Sequence, residues 1–144
     1  MFSKACEYAI RGTIYLALQS ENDKRVSLKE LARAIDSPEA FTAKILQQLV
    51  HSGIVHSLKG PTGGFALEPH QRFTATLSEV VYAIDGDSMF KGCGLGLKTC
   101  NEKKPCPVHD KFVAIRAQMK DMLEHTTIDE LAHGLKEGVT FLKR

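Results

Sequence analysis

The chain of 144 residues has no tryptophan, three tyrosines, seven phenylalanines and only four cysteines. It also lacks any apolar run near the ~18–20 residues that cross a bilayer, so no membrane partner is expected. Charge interrupts the N-terminal stretch Met1-Phe2-Ser3-Lys4-Ala5-Cys6-Glu7 before an export-type apolar core can form. A cytoplasmic protein is therefore expected, and four cysteines in that setting do not read as a disulfide framework. A large excess of one charge is missing too. The formal net charge is +2, and residues 1–75 hold nine Lys/Arg against seven Asp/Glu. Any nucleic-acid reading must rest on where the cations stand. No substrate-pocket motif appears, so neither an organic substrate nor an enzyme activity is expected.

What is present is a run of short, well-punctuated elements. Residues 2–20 are largely apolar, with Lys4, Glu7 and Arg11 along one edge, and read as a mostly buried helix. Ser27-Leu28-Lys29-Glu30 has the form of a capping box before a short helix whose inner face is Leu28, Leu31 and Ile35. Asp36-Ser37-Pro38 stops that helix and starts the next, with Ser37 as N-cap and Pro38 at the first helical position. The third helix, to about His51, turns Phe41, Ile45, Leu46 and Leu49 inward. Its other face carries Ala40, Ala43, Lys44 and Gln47.

Residues 54–58 and 65–67 are short apolar segments around Lys59-Gly60-Pro61-Thr62-Gly63-Gly64, which reads as a hairpin with a glycine-rich tip. Thr76-Leu77-Ser78-Glu79 begins a fourth helix closed by Gly86, and Thr127-Ile128-Asp129-Glu130 caps a last one. Three helices followed by a glycine-tipped hairpin make a winged helix-turn-helix. The expected fold is mainly α with a small β-hairpin: a winged helix-turn-helix DNA-binding domain at 1–86, a cysteine-rich loop at 87–107, and a dimerisation helix with a C-terminal helix at 108–144.

A helix or β-ribbon fits the DNA major groove, and small residues permit close approach to base edges. Lys44 and Gln47 can donate to bases or phosphates, and Ala40 and Ala43 leave room for a thymine methyl. Ser27 and the amides behind it suit a phosphate. Lys59, Thr62 and Gly63 at the wing tip suit the minor groove or backbone. A solvated helix face, or a hairpin that docks protein, is the plainer alternative.

Three cysteines share a span of fourteen residues, Cys93-x6-Cys100-x5-Cys106, followed by His109. Thiolates suit zinc or iron–sulfur clusters. These gaps exceed the C-x₂₋₄-C pairs that grip one zinc ion, and wider arms suit a larger cluster. A fourth ligand could be His109, or Glu7 reaching in from a partner subunit. Otherwise His109 is a polar residue at a helix start, and Glu7 pairs with Lys4 or Arg11. Cys6 reads as a core or interface thiol. Val108, Phe112, Ile115, Met119 and Met122 are spaced four, three, four and three, a seam suited to a second helix and so to a homodimer.

Lys4-x-x-Glu7-Tyr8-Ala9-Ile10-Arg11, the wing stretch from Lys59 to Leu67, residues 77–86 and Cys106-Pro107-Val108-His109 together resemble the Rrf-type winged-helix transcriptional regulators of the IscR and NsrR kind. The resemblance spans nearly the whole chain. It implies a dimer joined by the long helix, a palindromic double-stranded DNA operator, and a 2Fe-2S or 4Fe-4S cluster on Cys93, Cys100 and Cys106. It also implies a fourth ligand at His109, as in IscR-like members, or at Glu7 across the dimer, as in NsrR-like ones. The function expected is a DNA-binding transcriptional regulator, in the manner of a repressor. Its cluster would sense redox state, nitric oxide or cluster supply. The alternatives are a winged-helix regulator with a zinc site or thiol/disulfide switch, and an iron–sulfur protein that does not bind DNA.

Overall fold

The computed structural model describes residues 1–144. Ser3 caps α1 (Lys4–Ser20), its hydroxyl accepting from the Cys6 amide at 3.1 Å. α2 (Leu28–Ala34) and α3 (Glu39–His51) follow, then β1 (Val55–Leu58) and β2 (Gly64–Leu67). After a 3₁₀ turn at Pro69–Gln71 come α4 (Leu77–Asp85), the short α5 (Ser88–Lys91), α6 (His109–His125) and α7 (Ile128–Lys136). β1 and β2 pair antiparallel, with Val55 opposite Leu67 and Leu58 opposite Gly64. Val26 adds a bridge to Phe65, so the wing has a third short edge that the composition did not reveal.

The core gathers the inner faces of these elements: Leu16, Leu31, Ile35, Leu46, Leu49, Val55, Val80 and Val81 are all fully or almost fully buried. Phe41 is only half-buried and meets the edge of the Tyr8 ring at 5.6 Å, which orients α3 across α1. Thr42 takes the buried place beside Ile45 and Leu46 instead.

Two caps differ from the sequence reading. Pro38 is the N-cap of α3, not its first residue, and Ser37 bonds the Thr42 hydroxyl at 2.8 Å rather than capping. Asp36 absorbs the turn at φ 52, in the left-handed region where a short polar side chain is tolerated. At α2, Ser27 accepts from the Glu30 amide at 3.1 Å. The Glu30 carboxylate does not reach back, because Lys24 (2.7 Å) and the Tyr15 hydroxyl (3.0 Å) hold it. Thr76 and Glu79 do form the reciprocal box.

The boundary drawn at residue 108 follows the chain, not the core. α7 packs on α1 more extensively than any other element does. Thr76 and Thr127 form a bridge, with the Ile128 amide donating to Ala75 at 2.8 Å. The C-terminal helix is thus part of the winged-helix body, and α6 alone stands out from it.

Cys6 is fully buried, as a core thiol should be. Burial, then the nearby Asp85 carboxylate and Glu7, push its thiol from 9.0 up to about 12. A raised folded value means the neutral thiol's stabilisation is complete below pH 9 and is lost as pH climbs toward 12. Between those limits the Cys6 contribution should fall by about 1.4 kcal/mol per pH unit. Cys6→Ala is expected to flatten that part of the alkaline stability curve in urea titrations. An unchanged slope would place the alkaline lability elsewhere.

Candidate cluster site and nucleic-acid interface

The cysteine loop folds back onto α6. At 100° per residue, His109, Phe112, Arg116 and Leu123 share the face of α6 turned to the rest of the chain. His109 is buried, and its Nδ1 lies 3.4 Å from Cys100 Sγ. Arg116 donates through Nη2 to the same sulfur at 3.2 Å and through Nη1 to the Gly92 carbonyl. Gly94 lies flat on Phe112: a Cβ there would sit 2.5–2.7 Å from ring carbons, so only glycine fits.

Cys93 is a second sulfur centre. The Leu95 and Leu97 amides donate to it and hold its thiol below the usual range, aided by Cys106 and the Arg116 charge. Of the predicted ligands, Cys100 and His109 are in contact, while Cys106 bears on Cys93 only as one of the lesser influences on its thiol. No three His, Cys, Asp or Glu side chains converge as one metal ion requires. The donor chemistry nonetheless fits a thiolate-held group. Three soft sulfurs and an imidazole share one loop, and amide and guanidinium donors already face two of the sulfurs. Glu7 is not in this set. Its carboxylate pairs with Lys4 at 3.0 Å on the exposed edge of α1.

Arg116 was not among the sequence candidates. An arginine in an amphipathic helix carries no signal, and its partners lie 16 and 24 residues earlier.

The expected dimer seam divides. Ile115 and Met122 are exposed, at 52% and 46%. Phe112 lies over Gly94 but keeps 36% of its surface exposed, and Met119 packs against the core of its own chain. Val108 is the N-cap of α6. The apolar stripe is thus wider than one seam, and its inner edge seats the helix.

Of the residues expected to contact DNA, Ala40, Lys44 and Gln47 are exposed along α3 and Ala43 is half-buried. Lys59 and Thr62 are exposed at the wing tip. Gly63 is half-buried beneath them, and a Cβ there would collide with the Leu58 carbonyl. Ser27 is exposed at the α2 N-terminus, with its hydroxyl engaged as a cap.

Residues 2–134 match the model of the Rrf2 family, described as iron-dependent transcriptional regulators. The chain belongs to the Rrf2 family. Among Rrf2 relatives, a protein of Aquifex aeolicus named as an HTH-type transcriptional regulator is 33% identical over 135 residues, 91% of this chain and 90% of its own. The HTH-type transcriptional regulator IscR of Vibrio vulnificus is 25% identical, covering 86% and 72% of the two chains. The solved structure of CymR, the global cysteine regulator of B. subtilis, superposes with a TM-score of 0.74 at 23% identity, covering 92% and 96%. That likeness establishes the winged-helix architecture. Rrf2 relatives of these names are transcriptional regulators, not enzymes. In this Rrf2 chain no helix is long and apolar enough to cross a membrane.

Proposed function

We propose that this Rrf2 regulator works as a homodimer on a palindromic DNA operator. Its affinity is set by an iron–sulfur cluster held by Cys93, Cys100 and Cys106, with His109 or a partner's carboxylate at the position of Glu7 completing the set. The observation that carries the reading is the seating of the cysteine loop on one face of α6, while Ile115 and Met122 face outward beside it. The cluster, when bound, supplies a redox-active iron centre whose state can change with the cell.

The rest belongs to the chain. Cys100 and His109 anchor the loop at the N-terminal end of α6, and Leu123 anchors the other end in the core. The outward residues of α6 receive a second copy. Two recognition helices must stand about one DNA turn apart, ~34 Å, to engage both half-sites. A shift in how the loop seats α6 alters that spacing. A coupling of about 1–3 kcal/mol suffices for a several-fold to hundredfold change in affinity. Lys44, Gln47, Ala40 and Ala43 meet the major groove, Ser27 lies at a phosphate, and Lys59, Thr62 and Gly63 meet the flanking backbone.

One observation favours a second reading. Cys106 is among the groups that hold the Cys93 thiol below its usual range, so the two stand near each other. They could close a disulfide, giving two electrons and two protons to an external oxidant. Anaerobic purification with iron and sulfide quantification decides between the readings. Brown protein with iron and sulfide in cluster ratio supports the first. Colourless protein whose free-thiol count falls by two on oxidation supports the second, and colourless protein with stoichiometric zinc defeats both.

Duplex-binding titrations at rising salt test the DNA half, because contacts to phosphate release counterions and affinity falls steeply. Flat, negligible binding would end it. Lys59→Ala is expected to weaken binding uniformly across sequences and to lower the salt slope by about 1, since wing contacts position and do not specify. Unchanged affinity would show that the hairpin is not a wing.

A further inference from the structure

We propose that Arg116 is a positioning residue of the sulfur site: a strut that ties the cysteine loop to α6 and holds positive charge against Cys100. The electronic half of this inference rests on the cluster reading above. The mechanical half rests on the chain's own geometry.

Arg116 sits two turns along α6 from His109, and its guanidinium forks. One arm donates to the carbonyl of Gly92, the residue that ends α5 and precedes Cys93. The other donates to Cys100 Sγ at 3.2 Å. One side chain therefore spans the first half of the loop and clamps both of its ends to the same helix. A planar guanidinium does this with fixed geometry, whereas an ammonium offers a single point of charge.

Arg116 is half-buried and takes part in none of the chain's ion pairs. A partly desolvated cation aimed at sulfur is poorly compensated by a neutral thiol and well compensated by a thiolate. The arrangement thus suits Cys100 as an anionic ligand.

Beside this contact a cavity of about 320 Å³ opens between Phe90, Cys100, His109 and Val113, with Glu102 and Lys120 on its wall. Lys120 leans toward Glu124 at 3.8 Å, which leaves Arg116 as the cation bonded to the sulfur. Ile115, the neighbour of Arg116, is on the exposed face of α6. A change at Cys100 is therefore one residue away from the surface proposed to meet the second copy.

Hydrogen bonds and positive charge at a ligating sulfur favour the reduced, more negative cluster. The test uses the full chain in two states. In cluster-loaded protein, a spectroelectrochemical titration reads the midpoint potential of wild type, Arg116→Gln and Arg116→Lys. In metal-free protein, hydrogen–deuterium exchange reads the amides of residues 92–100.

Arg116→Gln is expected to lower the reduced-to-oxidised ratio about tenfold at the wild-type midpoint, ~59 mV for a one-electron couple. It is also expected to speed loop exchange several-fold. Arg116→Lys should restore most of the potential while exchange stays fast, a split that a merely structural residue would not produce. A wild-type potential and unchanged exchange in Arg116→Gln would overturn the inference. If wild type takes up no chromophore, the cluster reading falls by itself and the exchange measurement decides the strut alone. Faster exchange keeps it, and unchanged exchange removes it.

Discussion

Cys100→Ala is expected to abolish the visible absorbance of the anaerobically reconstituted protein while the chain still folds and unfolds cooperatively in urea. Cys100 is half-exposed and lies outside the hydrophobic core, so truncating it opens no packed cavity. The stability cost is that of the contacts it makes to His109 and Arg116, about 1–3 kcal/mol, which leaves the fold in place. The sulfur itself, however, is where the imidazole of His109 and the guanidinium of Arg116 meet. Removing it leaves both without their shared partner and removes one of three thiolates. Cys6→Ala is the matched control. Cys6 is buried against Asp85 and not in the loop, so that variant should keep its colour. A Cys100→Ala protein with full iron content and an unchanged spectrum would take Cys100 out of the ligand set.

Leu123→Ala is expected to cost about 2–5 kcal/mol, the range for removing a fully buried leucine and leaving a partly relaxed cavity. Against a total stability of ~5–15 kcal/mol, that is a large share. α6 is held to the body unevenly: of its seventeen residues only His109 and Leu123 are buried. His109 is seated by the loop at one end, and Leu123 enters the common core at the other with no exposed surface. Losing Leu123 should therefore free the C-terminal end of α6 first. The variant should also bind DNA less well than its residual stability would suggest, because the helix proposed to set the dimer is the one released. Denaturant titration and a duplex-binding titration on the same preparation check both statements. A cost below about 1 kcal/mol would mean that α6 is seated by something else.

The winged-helix pattern was legible because its signals are local. Leu31, Ile35, Ile45, Leu46 and Leu49 fall at helical spacing and are all buried, and Thr76 with Glu79 forms the capping box that its spacing implies. The glycine-rich turn also lies where the composition places it, between two paired strands.

The departures have one origin. Ser37, Glu30 and Phe41 each had a sound local role, and each was claimed by a competing partner: Thr42 five residues on, Lys24 in the preceding loop with Tyr15 on α1, and Tyr8 on α1. The same holds for the seam on α6. Periodicity identifies an apolar stripe, but it does not say which edge of the stripe faces the parent chain.

The order of the elements, the third helix with its small outer residues, the wing turn and the three soft sulfurs on one loop were all legible in the chain's own pattern. Each follows from spacing within a few turns of chain, where the backbone geometry leaves little choice. The packing of whole helices settled that α7 returns to α1, that the His109 imidazole meets Cys100, and that Arg116 reaches back to Cys100 and Gly92. Those contacts join residues far apart in the chain, and their partners are selected by how whole helices pack, which no local pattern records.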